Sequence, residues 1–288
     1  MSENDDKKTG GEQNRSATSK SKVKLRLDVK DVVRKRPEPA QSDDDSDGIT
    51  VLYEDNHLLV VVKPQNIPTQ ADSSGDVDLL TMLKQYLIKK YNKPGDAFLG
   101  LVHRLDRPTG GIMVFAKTSK AASRLSEQIR DSEGEFEKTY AAVAVGRLNR
   151  KGRVEHYLVK DVQANTVTVA PSSLEGAKKA VSEIDTIDEK NGLSLVRIKL
   201  LTGRTHQARV QLKALGAPIV GDYRYAGDKL VKSPHLALWA YKLTFAHPIS
   251  GDKLKFIAAP PDEFPWTEFD TAPLVDIVRP QDSGHYFK

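Results

Sequence analysis

Five segments with strand character follow one another with no helical pattern between them: Lys138–Val145, Gly152–Val159, Thr166–Val169, Ala180–Ile187 and Leu193–Leu201. Such a run indicates hairpins, and Lys190-Asn191-Gly192 is the clearest turn among them. Upstream, Thr50–Tyr53 and Leu58–Val62 read as two short strands around a turn, and Gly111–Ala116 reads as a buried strand. Leu238–Phe245 and the stretch around Leu254–Ile257 add two more. Helical spacing is confined to three places. Leu79, Leu80, Leu83, Leu87 and Ile88 follow the N-cap candidate Asp78; Ala122, Leu125 and Ile129 follow Ser119; and Arg204–Leu215 stops at Gly216. Strands dominate and never alternate regularly with helices. The expected class is therefore α+β, a single domain around a mixed, mainly antiparallel β-sheet with flanking helices.

Charge and apolar content divide the chain. Residues 1–48 hold eleven basic and eleven acidic side chains, no aromatics and nine apolar residues, so this segment cannot offset its ordering entropy and is expected to be disordered. The folded domain is expected over residues 49–270, with a C-terminal extension over 271–288. The whole net charge of +5 falls on the part after the tail, which suits a polyanionic partner. The absence of cysteine excludes disulfides, thiol nucleophiles and cysteine-ligated metals. The seven histidines have no helical pair spacing, so no metal site is expected. Apolar runs such as Leu58–Val62 are far short of the roughly 20 residues of a membrane span. With no signal peptide in view, the expected location is cytoplasmic. GxGxxG, GxxxxGK[ST] and GxSxG motifs are absent.

Chemistry concentrates in His103-Arg104-Leu105-Asp106-Arg107-Pro108-Thr109-Gly110-Gly111. A carboxylate between two arginines has its charged form stabilised, and an ionised Asp106 can serve as nucleophile or base. Pro108 and the two glycines fix a tight loop before an apolar strand. The plainer reading of this cluster is a surface loop with local ion pairs. A second cluster, Thr202–Leu212, places Arg209 one helical turn after Thr205, within reach of Asp106, and includes His206, a residue type that is more often structural than catalytic. Lys138 and Tyr140 share one face of a strand, where a tyrosine either packs or offers a stacking surface for a nucleobase.

These motifs resemble the RluA-type RNA pseudouridine synthases. The likeness runs in order through His103-Arg104-Leu105-Asp106, Lys138-Thr139-Tyr140, Gly203-Arg204-Thr205-His206-Gln207 with Arg209, and Gly216–Asp222, within residues 49–264. The resemblance implies that Asp106 is the essential aspartate, Tyr140 the aromatic stacked on the target base and Arg209 the arginine paired with the aspartate. It also implies that Arg104 fills the gap left by the extruded uridine. Arg107, Lys138, Arg204 and His206 are added as substrate-binding residues. Two positions depart from the family, Gly110 where Ser is usual and Trp239 where His is usual, with loop rigidity and substrate fit as the properties at stake. Many relatives carry a small RNA-binding domain that the polar tail does not resemble.

The reaction so implied isomerises uridine to pseudouridine by detaching, rotating and rejoining the base, and needs no cofactor. Asp106 either forms an adduct with the sugar or removes a sugar proton. The expected partner is RNA, ribosomal rather than transfer RNA, and the expected state is a monomer. Two rivals are an inactive RNA-binding module and a base-releasing glycosidase, which would want a second carboxylate as general acid. Deleting residues 1–48 should leave turnover on a minimal RNA substrate intact; pseudouridine formation by the truncated chain checks this.

Overall fold

In the computed structural model, the described residues are 32–33, 48–131 and 134–275. They contain twelve strands: β1 (Val32–Val33), β2 (Thr50–Glu54), β3 (Leu58–Lys63), β4 (Gly100–Leu101), β5 (Gly110–Ala116), β6 (Glu137–Val145), β7 (Lys151–Asp161), β8 (Thr166–Ala170), β9 (Lys178–Lys190), β10 (Leu193–Leu200), β11 (Leu238–Ala246) and β12 (Lys253–Ile257). Three helices accompany them: α1 (Leu79–Lys90), α2 (Ser119–Arg130) and α3 (Gln207–Ala214). The strands form one sheet whose main path is β2-β3-β5-β11-β6-β10-β9-β7-β8, with β4 beside β5 and β12 beside β11. All pairings are antiparallel except β5–β11 and β1–β12. This is the mixed, mainly antiparallel α+β architecture expected. The short strands β1 and β4 carry too little pattern to be read from sequence. β1 lies within the tail expected to be disordered, whose remaining residues up to 47 fall outside the described residues.

The continuous apolar runs of β3 and β5 are explained by burial on both faces. Leu59, Val61, Met113 and Phe115 pack with Leu79, Leu83 and Leu87 of α1, whereas Leu58, Val60, Ile112 and Val114 pack with Ala121 and Leu125 of α2. Successive side chains alternate between two cores, so neither face can be polar.

Local signals behave as their chemistry requires, with two shifts of boundary. Asp78 caps α1, its carboxylate accepting from the Thr81 amide and hydroxyl at 3.1 and 2.8 Å. The cap of α2 is Thr118 rather than Ser119; its hydroxyl accepts from the Ala121 amide at 3.2 Å, and Ser119 is already helical. Asn191 and Gly192 both have positive φ (53° and 73°), as a tight turn between β9 and β10 demands. Helix α3 starts at Gln207, three residues later than the expected Arg204, and ends in a Schellman arrangement at Gly216, with Ala217 N–H reaching Leu212 O. At the C-terminus, residues 272–275 form a 3₁₀ turn and Leu274 is buried in the main core, so the body continues into the expected extension; residues 276–288 lie outside the described ones.

The two departures from the family meet in space. Gly110 is paired with Trp239 across the parallel β5–β11 contact. A Cβ on Gly110 would stand 2.2 Å from Cζ3 of Trp239 and 2.8 Å from Cγ of Gln65. The indole occupies the room that a side chain at 110 would need. Gly110→Ser alone should therefore destabilise by about 1–3 kcal/mol through overpacking, and adding Trp239→His should recover much of that loss. Thermal unfolding of the two single variants and the double variant measures this coupling.

Candidate active site

Leu105–Thr109 is irregular backbone leading into the buried strand β5, and such backbone needs partners for its polar groups. It has them. Thr69 Oγ1 donates to Leu105 O (2.8 Å), the Thr109 amide to Asp106 O (2.9 Å), Lys63 Nζ to Arg107 O (3.1 Å), and Gln65 Nε2 to Pro108 O (3.2 Å). Four consecutive carbonyls are thus held, three of them by side chains from the last residue of β3 and the segment after it. Lys63 is fully buried and also donates to Pro64 O and Ile67 O at 2.8 and 2.7 Å. Burial pushes its ammonium down to about 7, and the nearby Asp106 carboxylate opposes that shift.

The loop presents Asp106 to a cleft of about 1180 Å³, also lined by His103, Arg104, Lys138, Tyr140, Arg204 and Arg209. Lys138 and Tyr140 of β6 do face the same side, as their spacing implies. Tyr140 is buried, and burial together with Asp106 pushes its phenol upward, so it stays neutral. Arg104 is exposed at the rim. Arg204 is exposed as well; it lies in the turn before α3, and its Nε donates to Lys179 O at 2.9 Å. Arg107 turns away from the carboxylate beside it. Its guanidinium contacts Asp76, Ser74 Oγ (3.0 Å) and Asn66 O (3.2 Å), with Asp72 at 3.9 Å. The positive charge facing Asp106 therefore comes from elsewhere in the chain.

It comes from Arg209, buried in the first turn of α3. Nη1 lies 3.7 Å from Asp106 Oδ2, while Nε and Nη2 bind the two oxygens of fully buried Asp222 at 2.9 and 2.7 Å. This fork fixes the guanidinium plane, and the Tyr225 ring lies beneath it at 4.9 Å. The Tyr225 hydroxyl accepts from the Val167 amide at 3.0 Å and meets His206 Nδ1 at 2.6 Å. The other ring nitrogen, Nε2, lies 3.9 Å from Asp106 Oδ2. Burial pushes the His206 imidazole below its ordinary value, keeping it neutral near pH 7. His206 adopts left-handed backbone (φ 52°), which explains why the helix begins one residue later.

The structure brings Asp106, Tyr140, Arg209 and His206, all singled out in the sequence, to one cleft; Asp222 and Tyr225 carried no role there. The only signal was their position in the Gly216–Asp222 motif and just after it. The arrangement offers one carboxylate beside a guanidinium and an imidazole, suited to attack or proton removal at the ribose. Among the described residues, the other acidic side chain lining the cleft is Asp72. The Ser74 hydroxyl and amide hold its carboxyl below the usual range, which makes it a poor proton donor for a hydrolase.

Comparison with known proteins places the chain in a family. The family model described as RNA pseudouridylate synthase matches residues 57–214. An uncharacterised RNA pseudouridine synthase of Bacillus subtilis is 36% identical over 217 residues, covering 74% of this chain and 68% of that protein. A ribosomal large subunit pseudouridine synthase D of Zymomonas mobilis is 32% identical, covering 79% and 74%. The solved structure of human RNA pseudouridylate synthase domain containing 4 superposes with a TM-score of 0.62 at 23% identity, covering 74% of this chain and 89% of that one, a likeness of fold.

The two carboxylates around Arg209 should respond differently to removal. Asp222→Ala leaves a buried guanidinium without its fork and should cost about 3–5 kcal/mol, whereas Asp106→Ala should change stability by less than about 1 kcal/mol. Denaturant unfolding of both variants tests the contrast.

Proposed function

Because the chain belongs to the RNA pseudouridylate synthase family and is an RNA pseudouridine synthase, we propose that it isomerises uridines of ribosomal RNA at Asp106. The observation that carries this reading is the placement of Asp106 on a clamped loop, open to the cleft and 3.7 Å from a fork-held Arg209. Several similar proteins are named for the ribosomal large subunit, which favours ribosomal over transfer RNA.

The target uridine must leave the helix to reach this carboxylate, at a cost of a few kcal/mol. Stacking on Tyr140 offsets part of that cost, and Arg104, exposed at the rim, is placed to fill the vacated position. Arg209 orients the Asp106 carboxylate and holds its charge. Asp106 then acts at the ribose, and the glycosidic electron pair departs with uracil. In one route the carboxylate adds to C1′; in the other it takes the C2′ proton to leave a glycal. Either way the base rotates in the cleft and a ring carbon attacks C1′, displacing the carboxylate in the first route and recovering the C2′ proton from Asp106 in the second; the proton on that carbon leaves last, and the nitrogen that left the sugar ends protonated. Lys138, Arg204 and His206 line the cleft where the RNA lies. Arg107 serves the loop rather than the RNA, since its charge is already met by Asp76 and Asp72.

Mapping pseudouridines in ribosomal RNA from cells with and without this chain should reveal positions lost in its absence. Purified wild-type protein should restore them, and Asp106→Ala should be slower by on the order of 10⁴-fold. Retained pseudouridine with Asp106→Ala would overturn the assignment; free uracil in place of pseudouridine would favour a glycosidase; sites lost only from transfer RNA would move the substrate.

A further inference from the structure

Tyr225 is buried, and the chemistry above gives it no part. Its hydroxyl carries one proton and two lone pairs, and two partners share them: the Val167 amide, which donates at 3.0 Å, and His206 Nδ1 at 2.6 Å. The bond to His206 can run in either direction, and each direction fixes the far end of the imidazole.

If Nδ1–H donates to the phenol oxygen, that oxygen accepts twice and the buried phenol proton finds no acceptor among the described residues. Nε2 then turns a lone pair toward the Asp106 carboxylate. If instead the phenol donates to Nδ1, it accepts from Val167 and gives to His206, and Nε2 carries its proton toward Oδ2, 3.9 Å away. The second arrangement leaves no buried donor without a partner and no lone pairs facing one another. Burial keeps the imidazole neutral, and among the charges around it Asp106 acts most strongly, ahead of Arg209, Arg224 and Asp222.

The direction bears on Asp106. Arg209 Nη1 and His206 Nε2 make their nearest approach to the same oxygen, Oδ2, at 3.7 and 3.9 Å. Catalytic contacts of this length often shorten when substrate closes a site. Tyr225 reaches both groups: its ring lies 4.9 Å beneath Arg209 and meets the His206 ring edge-on, with centroids 5.5 Å apart. We propose that Tyr225 is a positioning residue, donating to His206 Nδ1 and thereby turning Nε2–H toward Asp106, so that the imidazole joins Arg209 in orienting the reacting carboxylate. This rests on the reading of Asp106 above, and it gives His206 a duty besides lining the cleft.

The test uses the full chain labelled with ¹⁵N-histidine. The His206 signals are identified by their loss in His206→Asn, since asparagine tolerates the left-handed backbone at this position. Long-range ¹H–¹⁵N spectra should show His206 as the Nε2–H tautomer. Tyr225→Phe, which keeps the ring under Arg209, and Asp106→Ala should each raise the share of Nδ1–H. In the ribosomal RNA assay Tyr225→Phe should lower kcat about tenfold with KM within about twofold, and thermal unfolding should show that the variant is folded. In the His206→Asn background the same change should cost less than about twofold, because it acts through the imidazole. A wild-type Nδ1–H tautomer, a loss carried by KM, or losses that multiply in the double variant would overturn the proposal. The wild-type and Asp106→Ala spectra need no turnover, so a chain whose Nε2–H tautomer responds to Asp106 but which forms no pseudouridine would refute the substrate reading alone.

Discussion

The site depends on the capture of four consecutive carbonyls, from Leu105 to Pro108, by Thr69, Thr109, Lys63 and Gln65. Irregular backbone in a buried position is tolerated only when its polar groups are matched, and here the matching also removes the loop's freedom. Gln65 ties the loop further to Leu236 O just ahead of β11 (2.7 Å), so the first strands, the loop and the late strand move as one body. Asp106 is rigid because its neighbours' backbone is, without any donor having to occupy the carboxylate itself.

Arg209 separates structure from chemistry within one side chain. Two of its nitrogens are committed to Asp222, whose charge neutralises the buried guanidinium. What remains for Asp106 is a longer contact at 3.7 Å, enough to orient and too loose to quench. A tight pair with Asp106 would have masked the reacting carboxylate. The second aspartate lets the arginine be held firmly and still leave the first one available.

Much of this was legible from one chain. Period-two burial, the Asp78 cap, the Asn191-Gly192 turn and the shared face of Lys138 and Tyr140 are local, and local stereochemistry writes them into short patterns. Partners 13 to 171 residues apart are not written that way. Asp106 was expected between two arginines adjacent in sequence, but Arg107 is drawn to Asp72 and Asp76 while the facing guanidinium arrives from α3. The late start of α3 has a similar origin. The buried Gln207 side chain receives the Arg204 amide and the Thr202 hydroxyl and binds Val181 O and Ser182 Oγ, holding residues 202–206 in a turn despite their helical spacing. Tertiary hydrogen bonds override propensity at both places, and both are at the site.

The contact between Gly110 and Trp239 also bears on how such chains diversify. A backbone with room for either an indole or a β-substituent, but not both, turns two distant codons into one inherited unit. A chain exchanging one state for the other would pass through a crowded or a hollow intermediate, so the two positions are constrained to change together. Because Gly110 opens β5 directly after the Asp106 loop, a paired exchange there would also change what backs that loop.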